Sequence, residues 1–540
     1  MTKQKLLIKN AAVWTGDPDR PTSNAVLVED GVIVAIGNEA TDTGSDASEV
    51  IDAAGASVIP AFAEGHAHPI FAGLEQQFAK VRGHGTVAGI ADAVAKFAAD
   101  NPDIEWILGL GYDPSLVPDG CFDAKWLDTA VRDRPVALRA TDYHTVWCNT
   151  KALELAGITS ETPQPENGEI VHRPDGTPMG TLREWGATDL IFNMLPPISI
   201  EQKMDAIRWS SRRYIEAGVV FVQDAWVEPD DLEAYLQLAR GNELELRYNL
   251  AFTAQPSEYR NQLQLFIDQR SVVRSVGSPF LGAETVKIFV DGVIEAGTAA
   301  LLEPYHDCPG SHGIPNWSIE DLTAAVTAFD AAGFQLHLHA IGDKAIRMAL
   351  DAVEVVQTEN GVRDRRPTIA HSQLIDPSDL ARFAELGVIA NFEPLWAQQD
   401  SLQSILTMPR LGQERGNSQY PIATLLRGGA RVSFGSDWPV SDHRPLPGIA
   451  VAVTRQTKAD FPEGGWMPSE RLSLPEALAC YCSGTAYQAF LDDSMGQIAV
   501  GMSADLIVLD RNIFEIPSKE IGEVEVITTL VKGRVVHSTK

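Results

Sequence analysis

The sequence predicts an α/β barrel carried on a small β domain built from both chain ends, and three observations predict it. Strand-like apolar runs alternate with helical stretches through the middle of the chain, several of those runs end in histidine, lysine or aspartate, and the two ends share a style of short β runs and turns.

The first 57 residues read as an antiparallel meander, with β-like runs at 6–8, 25–28 and 32–37 and a turn at Glu29-Asp30-Gly31. The C-terminus returns to this style at 504–509 and 524–531, then a Lys532-Gly533 turn and a last run. Neither end has enough strands to close a core alone. The two are therefore expected to join as one β-sandwich domain, 1–57 with 485–540, and the middle is an insertion within it.

That middle, 58–484, supplies eight strand candidates at 58–64, 218–224, 245–252, 284–291, 334–340, 367–372, 387–393 and 431–436. Eight is the number that closes a barrel. Between the first and second lies a gap of roughly 150 residues, too long for an ordinary connection, with its own strand-like runs at 106–111 and 136–140. It is expected to be an inserted subdomain, about 75–200, that roofs the barrel mouth.

Composition narrows the partners. A formal net charge of −30, from 73 acidic against 43 basic residues, repels phosphate backbones and anionic membranes. Neither nucleic acid nor a membrane is expected as a partner, and the charge reads as a well-solvated surface rather than a device for steering cations. Five cysteines, Cys121, Cys148, Cys308, Cys480 and Cys482, lack Cys-x-x-Cys spacing, which fits a reducing compartment. No secretory signal is evident in residues 1–10, and no run of roughly 18 apolar residues occurs. A soluble, cytoplasmic protein is the expectation.

The chemistry-bearing residues sit at strand ends. His66 and His68 follow the first apolar run with one residue between them, so they share a strand face and can share a metal, or are two satisfied histidines at a strand terminus. His337 and His339 repeat the spacing at 334–340; His339 lies nearer the C-terminal end, where barrel enzymes place reactive groups, and His337 packs beneath or supports from behind. His371 ends the run Thr368-Ile369-Ala370. Asp437 follows Gly435 and precedes Pro439 in a tight turn that presents a carboxylate able to bind metal and take a proton from water. Lys287 sits in an apolar strand, where an unpaired ammonium is costly. Either it forms a buried ion pair, with Asp291 or a glutamate, or its amine reacts with carbon dioxide to give a bridging carbamate.

Taken together, these motifs resemble the amidohydrolase superfamily, and within it the family 3 branch of YtcJ-like proteins and N-substituted formamide deformylases. The resemblance runs over His66-Ala67-His68, the segment from His144 through Trp147 and Asn149 to Leu153, Gly180 to Glu184, Lys287 to Gly292, Thr298 to Tyr305, His339 to Asp343, His371-Ser372-Gln373 and Gly435-Ser436-Asp437. It implies a distorted (β/α)8 barrel with a β-sandwich from both termini. It further implies that His66 and His68 hold the more buried metal, that His339 and His371 hold the other, that Lys287 is the carboxylated bridge, and that Asp437 is the eighth-strand aspartate. The first strand departs from the family's Pro-Gly-Phe-Ile-Asp and reads Pro60-Ala61-Phe62-Ala63-Glu64, which keeps the ligands and changes their support.

The expected activity is hydrolysis of a non-peptide C–N bond, of amide or N-substituted formamide type, by a metal-activated hydroxide. Alternatives are deamination, hydrolysis of a cyclic amide or ester, and a catalytically silent barrel acting as a regulatory binding protein. One or two divalent ions are expected, zinc first because imidazole and oxygen donors suit it, although manganese, iron and nickel accept similar ligands. Asp437 is the expected proton acceptor. His144 is a candidate donor to the developing oxyanion or a structural hydrogen-bond partner within the insert. Glu184, Trp106, Trp147 and Trp396 are candidate contacts to a small amide-like substrate, with Tyr112, Trp226 and Phe392 as further aromatics near strand ends; a homodimer is the candidate assembly.

Overall fold

The structure, a computed structural model, describes residues 5–539, so Met1 to Gln4 of the charged start, part of the segment read for a secretory signal, lie outside the described residues. At its centre is an eight-stranded parallel sheet: β1 (Phe62–Ala67), β2 (Val219–Val227), β3 (Arg247–Thr253), β4 (Leu281–Phe289), β5 (Gln335–Ala340), β6 (Thr368–His371), β7 (Ile389–Phe392) and β8 (Arg431–Phe434). Each strand pairs with the next in chain order, the pattern of a βα barrel. All eight are rich in fully buried aliphatic and aromatic residues, because helices cover the outside of a parallel sheet.

The edges β1 and β8 meet through the turn that follows β8. The Asp437 N–H donates to the His66 carbonyl at 2.8 Å, and the His68 N–H to the Trp438 carbonyl at 2.8 Å. Glu64 Oε1 accepts from the N–H groups of His66 (3.1 Å) and Ser436 (2.8 Å). Gly435 is required at this seam, since a Cβ there would stand 2.7 Å from the His66 nitrogen and 2.8 Å from Glu64 Oε1. The unusual Glu64 is thus the clasp between the first and last strands.

The run expected as one strand at 58–64 is two. Ser57–Pro60 belongs to the terminal β domain, where it pairs parallel with Ala12–Trp14 and antiparallel with Leu506–Leu509; the barrel strand starts at Phe62. Pro60 has no N–H to donate, and it stands where the chain leaves one sheet for the other.

Both termini do form a sandwich. A six-stranded sheet mixes strands from both ends, and a four-stranded sheet comes from the N-terminal end alone. Leu6, Val26, Ile33, Val58, Leu506 and Leu530 fill the core between them. The expected N-terminal meander holds for three strands only. Lys5–Lys9, Val26–Glu29 and Val32–Ile36 pair antiparallel, while Glu49–Asp52 joins Lys5–Lys9 in parallel and Ala12–Trp14 crosses into the other sheet.

The insert has a five-stranded sheet of its own, which includes Ile107–Tyr112, Val136–Ala140 and Thr145–Cys148, with a separate apolar cluster on each side. All five cysteines are free. Among the described residues no helix is long and apolar enough to cross a membrane.

Candidate metal centre

The C-terminal ends of β1, β4, β5, β6 and β8 deliver His66 and His68, Lys287, His339, His371 and Asp437 to one cavity. Each of these side chains is buried, from 0% exposure at His66 and Lys287 to 7% at His68. Alternation explains the selection within β5. His339 reaches the cavity, whereas His337 lies two residues deeper and meets His66 from below, His337 Nε2 to His66 Nδ1 at 2.8 Å.

That contact leaves His66 Nε2 facing inward, 3.3 Å from Lys287 Nζ and 3.6 Å from Asp437 Oδ1. His68 Nε2 lies 2.9 Å from the same Asp437 oxygen. Across the cavity, His371 Nδ1 is bonded to Glu393 Oε2 at 2.9 Å, and its ring lies 4.7 Å from that of His66 and 4.5 Å from that of His339, centre to centre. His339 Nε2 meets the Gly292 carbonyl at 3.2 Å. Among the described residues, His66, His371 and Asp437 are the trio whose donor atoms all lie within 4.8 Å of one another.

The electrostatics suit a cation. Burial, with Lys287 and neighbouring imidazoles adding to it, holds His66, His337 and His339 well below the usual imidazole range, so these rings are neutral lone-pair donors at pH 7. Burial also brings the Lys287 amine down to about 7. Lys287 forms no ion pair among the described residues, which disposes of the expected pairing with Asp291. That carboxylate instead accepts N–H bonds from Ala300, Ile341 and Gly342 at 2.8–3.0 Å. His68 Nδ1 is a buried acceptor without a partner, and Asp437 Oδ1 has none beyond the imidazoles of His66 and His68. Neutral imidazoles, a carboxylate and an orphaned acceptor around one cavity make a donor set that fits one or two divalent cations.

Backbone strain concentrates at the same place. His371 has φ +74° and Asp437 φ +52°, both in the left-handed region, and Glu184 has φ +58°. Such conformations cost non-glycine residues about 1–3 kcal/mol and persist where the surroundings impose them. Each aims its carboxylate or ring into the network instead of along a regular element.

The insert reaches this cavity through His144. Its Nδ1 is bonded to Glu184 Oε2 at 2.8 Å, so Nε2 is the nitrogen left for a ligand. Burial lowers the His144 pKa but Glu184, with Asp142 and Glu295, outweighs it, and the net shift is upward. Glu184 differs from expectation. It is fully buried, held by His144 and by the Thr298 hydroxyl, behind His144 instead of on the cavity wall.

Of the three tryptophans singled out, Trp396 lines the cavity and stacks on His371 at 5.3 Å with planes 3° apart. Trp147 is instead the core of the insert, packed with Tyr112, Phe122 and Trp126, its Nε1 donating to the Asp123 carbonyl at 3.0 Å. Trp106 packs in the insert's second core. Tyr112 is likewise in the insert and Phe392 in the barrel core, while Trp226 does line the cavity. Phe289, Ile341, Asp142 and Glu295 line it too, and the sequence reading missed all four. Glu393, the His371 partner, was also missed, although an acid closing the seventh strand run was a signal of the same kind as Asp437.

Comparisons with known proteins agree with this geometry. The model of the amidohydrolase family matches residues 49–537. "Protein LONG AFTER FAR-RED 3" of Arabidopsis thaliana is 31% identical over 98% of this chain and 91% of its own length. An "N-substituted formamide deformylase" of Arthrobacter pascens is 26% identical over 99% of this chain and 98% of its own. Among solved structures, an uncharacterized metal-dependent hydrolase from Pyrococcus horikoshii OT3 shares the fold with a TM-score of 0.74 at 23% identity, covering 95% of this chain and 99% of that one.

Proposed function

The chain belongs to the amidohydrolase family, and on that premise we propose that it hydrolyses a C–N bond other than a peptide bond, in an amide or N-substituted formamide. The ligands of one or two divalent cations would be His66, His68, His339, His371 and Asp437. What carries the reading is the convergence of these side chains, with Lys287, on one buried cavity at the C-terminal ends of barrel strands. When bound there, a divalent cation lowers the pKa of water to about 7 and polarises a carbonyl.

The chain's own groups do the rest. Asp437 accepts the proton of the attacking water on its carboxylate and delivers it to the leaving nitrogen. His144 donates from Nε2 to the carbonyl oxygen as negative charge develops there, and the pairing of its Nδ1 with Glu184 keeps the ring in that orientation. Trp226, Phe289 and Trp396 give the substrate an apolar seat. The formamide assignment draws support from the Arthrobacter pascens relative, which matches over nearly the full length of both chains.

Zinc is the proposed metal, because imidazole and carboxylate donors suit it. Lys287 is proposed as a carbamate. With its pKa near 7, much of the amine is neutral; its nitrogen bonds to the carbon of carbon dioxide, a proton leaves to solvent, and the resulting carbamate would add oxygen donors to those that hold the cation. A barrel serving only as a binding scaffold has no need to gather six such groups in one cavity.

The test is elemental analysis of the purified chain, followed by chelation, reloading with zinc, manganese, iron or nickel, and assay against formamides, N-acyl amines and cyclic imides. About one or two equivalents per chain are expected, with turnover lost on chelation and restored on reloading. A chain that takes up no cation, or hydrolyses its substrate equally well without one, overturns the proposal.

A further inference from the structure

A second cavity, of about 240 Å³, opens onto the first and shares Asp142, Glu295, Trp396 and Val440 with it. Its walls come from separate parts of the chain: Asp113 and Asp142 from the insert, Glu295 from the segment after β4, Asp400 and Gln403 from the segment after β7. Among the described residues no lysine, arginine or histidine lines it. None of its four carboxylates forms an ion pair with a described side chain, and the groups that hydrogen-bond to Asp113, Asp142 and Asp400 are neutral, such as Ser115 N–H on Asp113 at 2.8 Å, Thr145 N–H on Asp142 at 2.9 Å and Gln403 N–H on Asp400 at 2.9 Å. Two cationic groups stand near this wall and both are engaged elsewhere: His144 Nδ1 with Glu184 at 2.8 Å, and Arg410 through Nη1 with Asp307 at 3.2 Å and Nε with the Glu295 main-chain carbonyl at 3.0 Å.

A wall of acidic groups does not by itself make a site, but Gln403 adds an independent sign. It is 4% exposed, its Nε2 donates to the Tyr420 hydroxyl at 3.2 Å, and its Oε1 is buried without any partner. Such an acceptor costs stability until a donor reaches it. Every unmet demand in this cavity is thus for positive charge or N–H donors. The carboxylates are too dispersed to close on a metal ion, since the trio within metal-sharing distance lies in the inner cavity. Trp396 and Tyr420 add ring faces of the kind that attract organic cations.

We propose that the outer cavity is a subsite for an ammonium or guanidinium group of the substrate, so that the preferred amide carries a cationic end beyond the bond that is cleaved. This rests on the amide-hydrolysis reading for the reaction but not for the binding. A cation there relieves the burial that raises Asp142, Asp400 and Glu295, the last to about 7. The net charge of −30 then acts at long range in the same sense, as well as solvating the surface.

The experiment compares three matched probes on the metal-loaded protein: N-formyl-1,4-diaminobutane, N-formylbutylamine and N-formyl-4-aminobutyrate. The cationic probe is expected to exceed the neutral one in kcat/KM by about tenfold, mostly through KM, with the anionic probe last. In the Asp113→Asn/Asp400→Asn double variant, whose amides still cap the same N–H groups, the ratio of cationic to neutral probe falls toward one. In parallel, binding of 1,4-diaminobutane is measured by calorimetry. If no formamide turns over yet the diamine binds the wild type and not the double variant, the subsite stands and the reaction falls. If formamides turn over with no preference for the cationic probe, the subsite is overturned and the reaction stands; if the diamine does not bind the wild type, the subsite is overturned whatever the turnover assay shows.

Discussion

The barrel rim and the inserted roof both send polar side chains to one cavity, but they hold them differently. On the rim, the proposed ligands stand on strand ends whose positions are fixed by the parallel ladder; His66 is braced from across the barrel by His337 on β5, and His371 by Glu393 after the adjacent β7. The roof contributes His144 and Asp142 from a turn, braced within the insert and by Thr298 of the segment after β4. On the proposed reaction, bond cleavage would fall to the rim, and oxyanion stabilisation and substrate choice to the roof. Rigid elements position reacting groups, and loops laid over them vary what is admitted.

The sharpest way to break this division is at the rim. Asp437→Asn keeps the shape of the side chain and an oxygen donor but loses a proton acceptor. With metal content verified by elemental analysis, kcat should fall by about 10³-fold or more, the scale of a lost general base together with altered charge at the metal. A fall below tenfold with metal retained would move proton transfer to another group and remove the rim's claim to the chemistry.

A smaller effect is expected one step back from the cavity. Glu393→Gln leaves the His371 ring in place but removes the charge that makes it a stronger donor. Metal affinity, measured by competition with a chelator, should weaken by about 10- to 100-fold, and kcat at saturating metal should change much less. An equal loss in kcat with unchanged affinity would show that Glu393 handles protons.

The same contrast explains what the sequence discloses. The barrel ligands are legible because period-two alternation and strand ends are local features: a histidine closing an apolar run declares its position without knowledge of its neighbours. Pro60 marks the sheet change, yet an unbroken apolar run hides it, because both sides are equally buried. Partners across strands are not local. Glu393 meets His371 only through the pairing of β6 with β7, and Glu64 meets Ser436 only when the first and last strands close. In the insert the signals mislead. Glu184 reads as a candidate substrate contact, but it is buried behind His144, and Arg183 beside it is buried too, held by Glu169 and the Asp119 carbonyl. Trp106 and Trp147 are large aromatics near a predicted site, and a second core that consumes them has no signature in composition.

The smallest expected effect tests the roof alone. In the wild type, burial lowers the His144 pKa, but Glu184, with Asp142 and Glu295, outweighs it and the net shift is above the ordinary 6.5. A raised pKa means the imidazolium persists to higher pH, so donation to the oxyanion should fail only on the alkaline side of that value. Glu184→Gln preserves the hydrogen bond but removes the charge, leaving burial to dominate, and His144 then becomes neutral at lower pH. The alkaline limb of kcat against pH should move downward, with kcat on that limb falling while kcat at lower pH and metal content stay unchanged. A structural role for the pair would instead lower stability and kcat evenly across pH. A shifted limb assigns the roof a part in the chemistry through a single proton, whereas an unshifted one confines the roof to choosing the substrate.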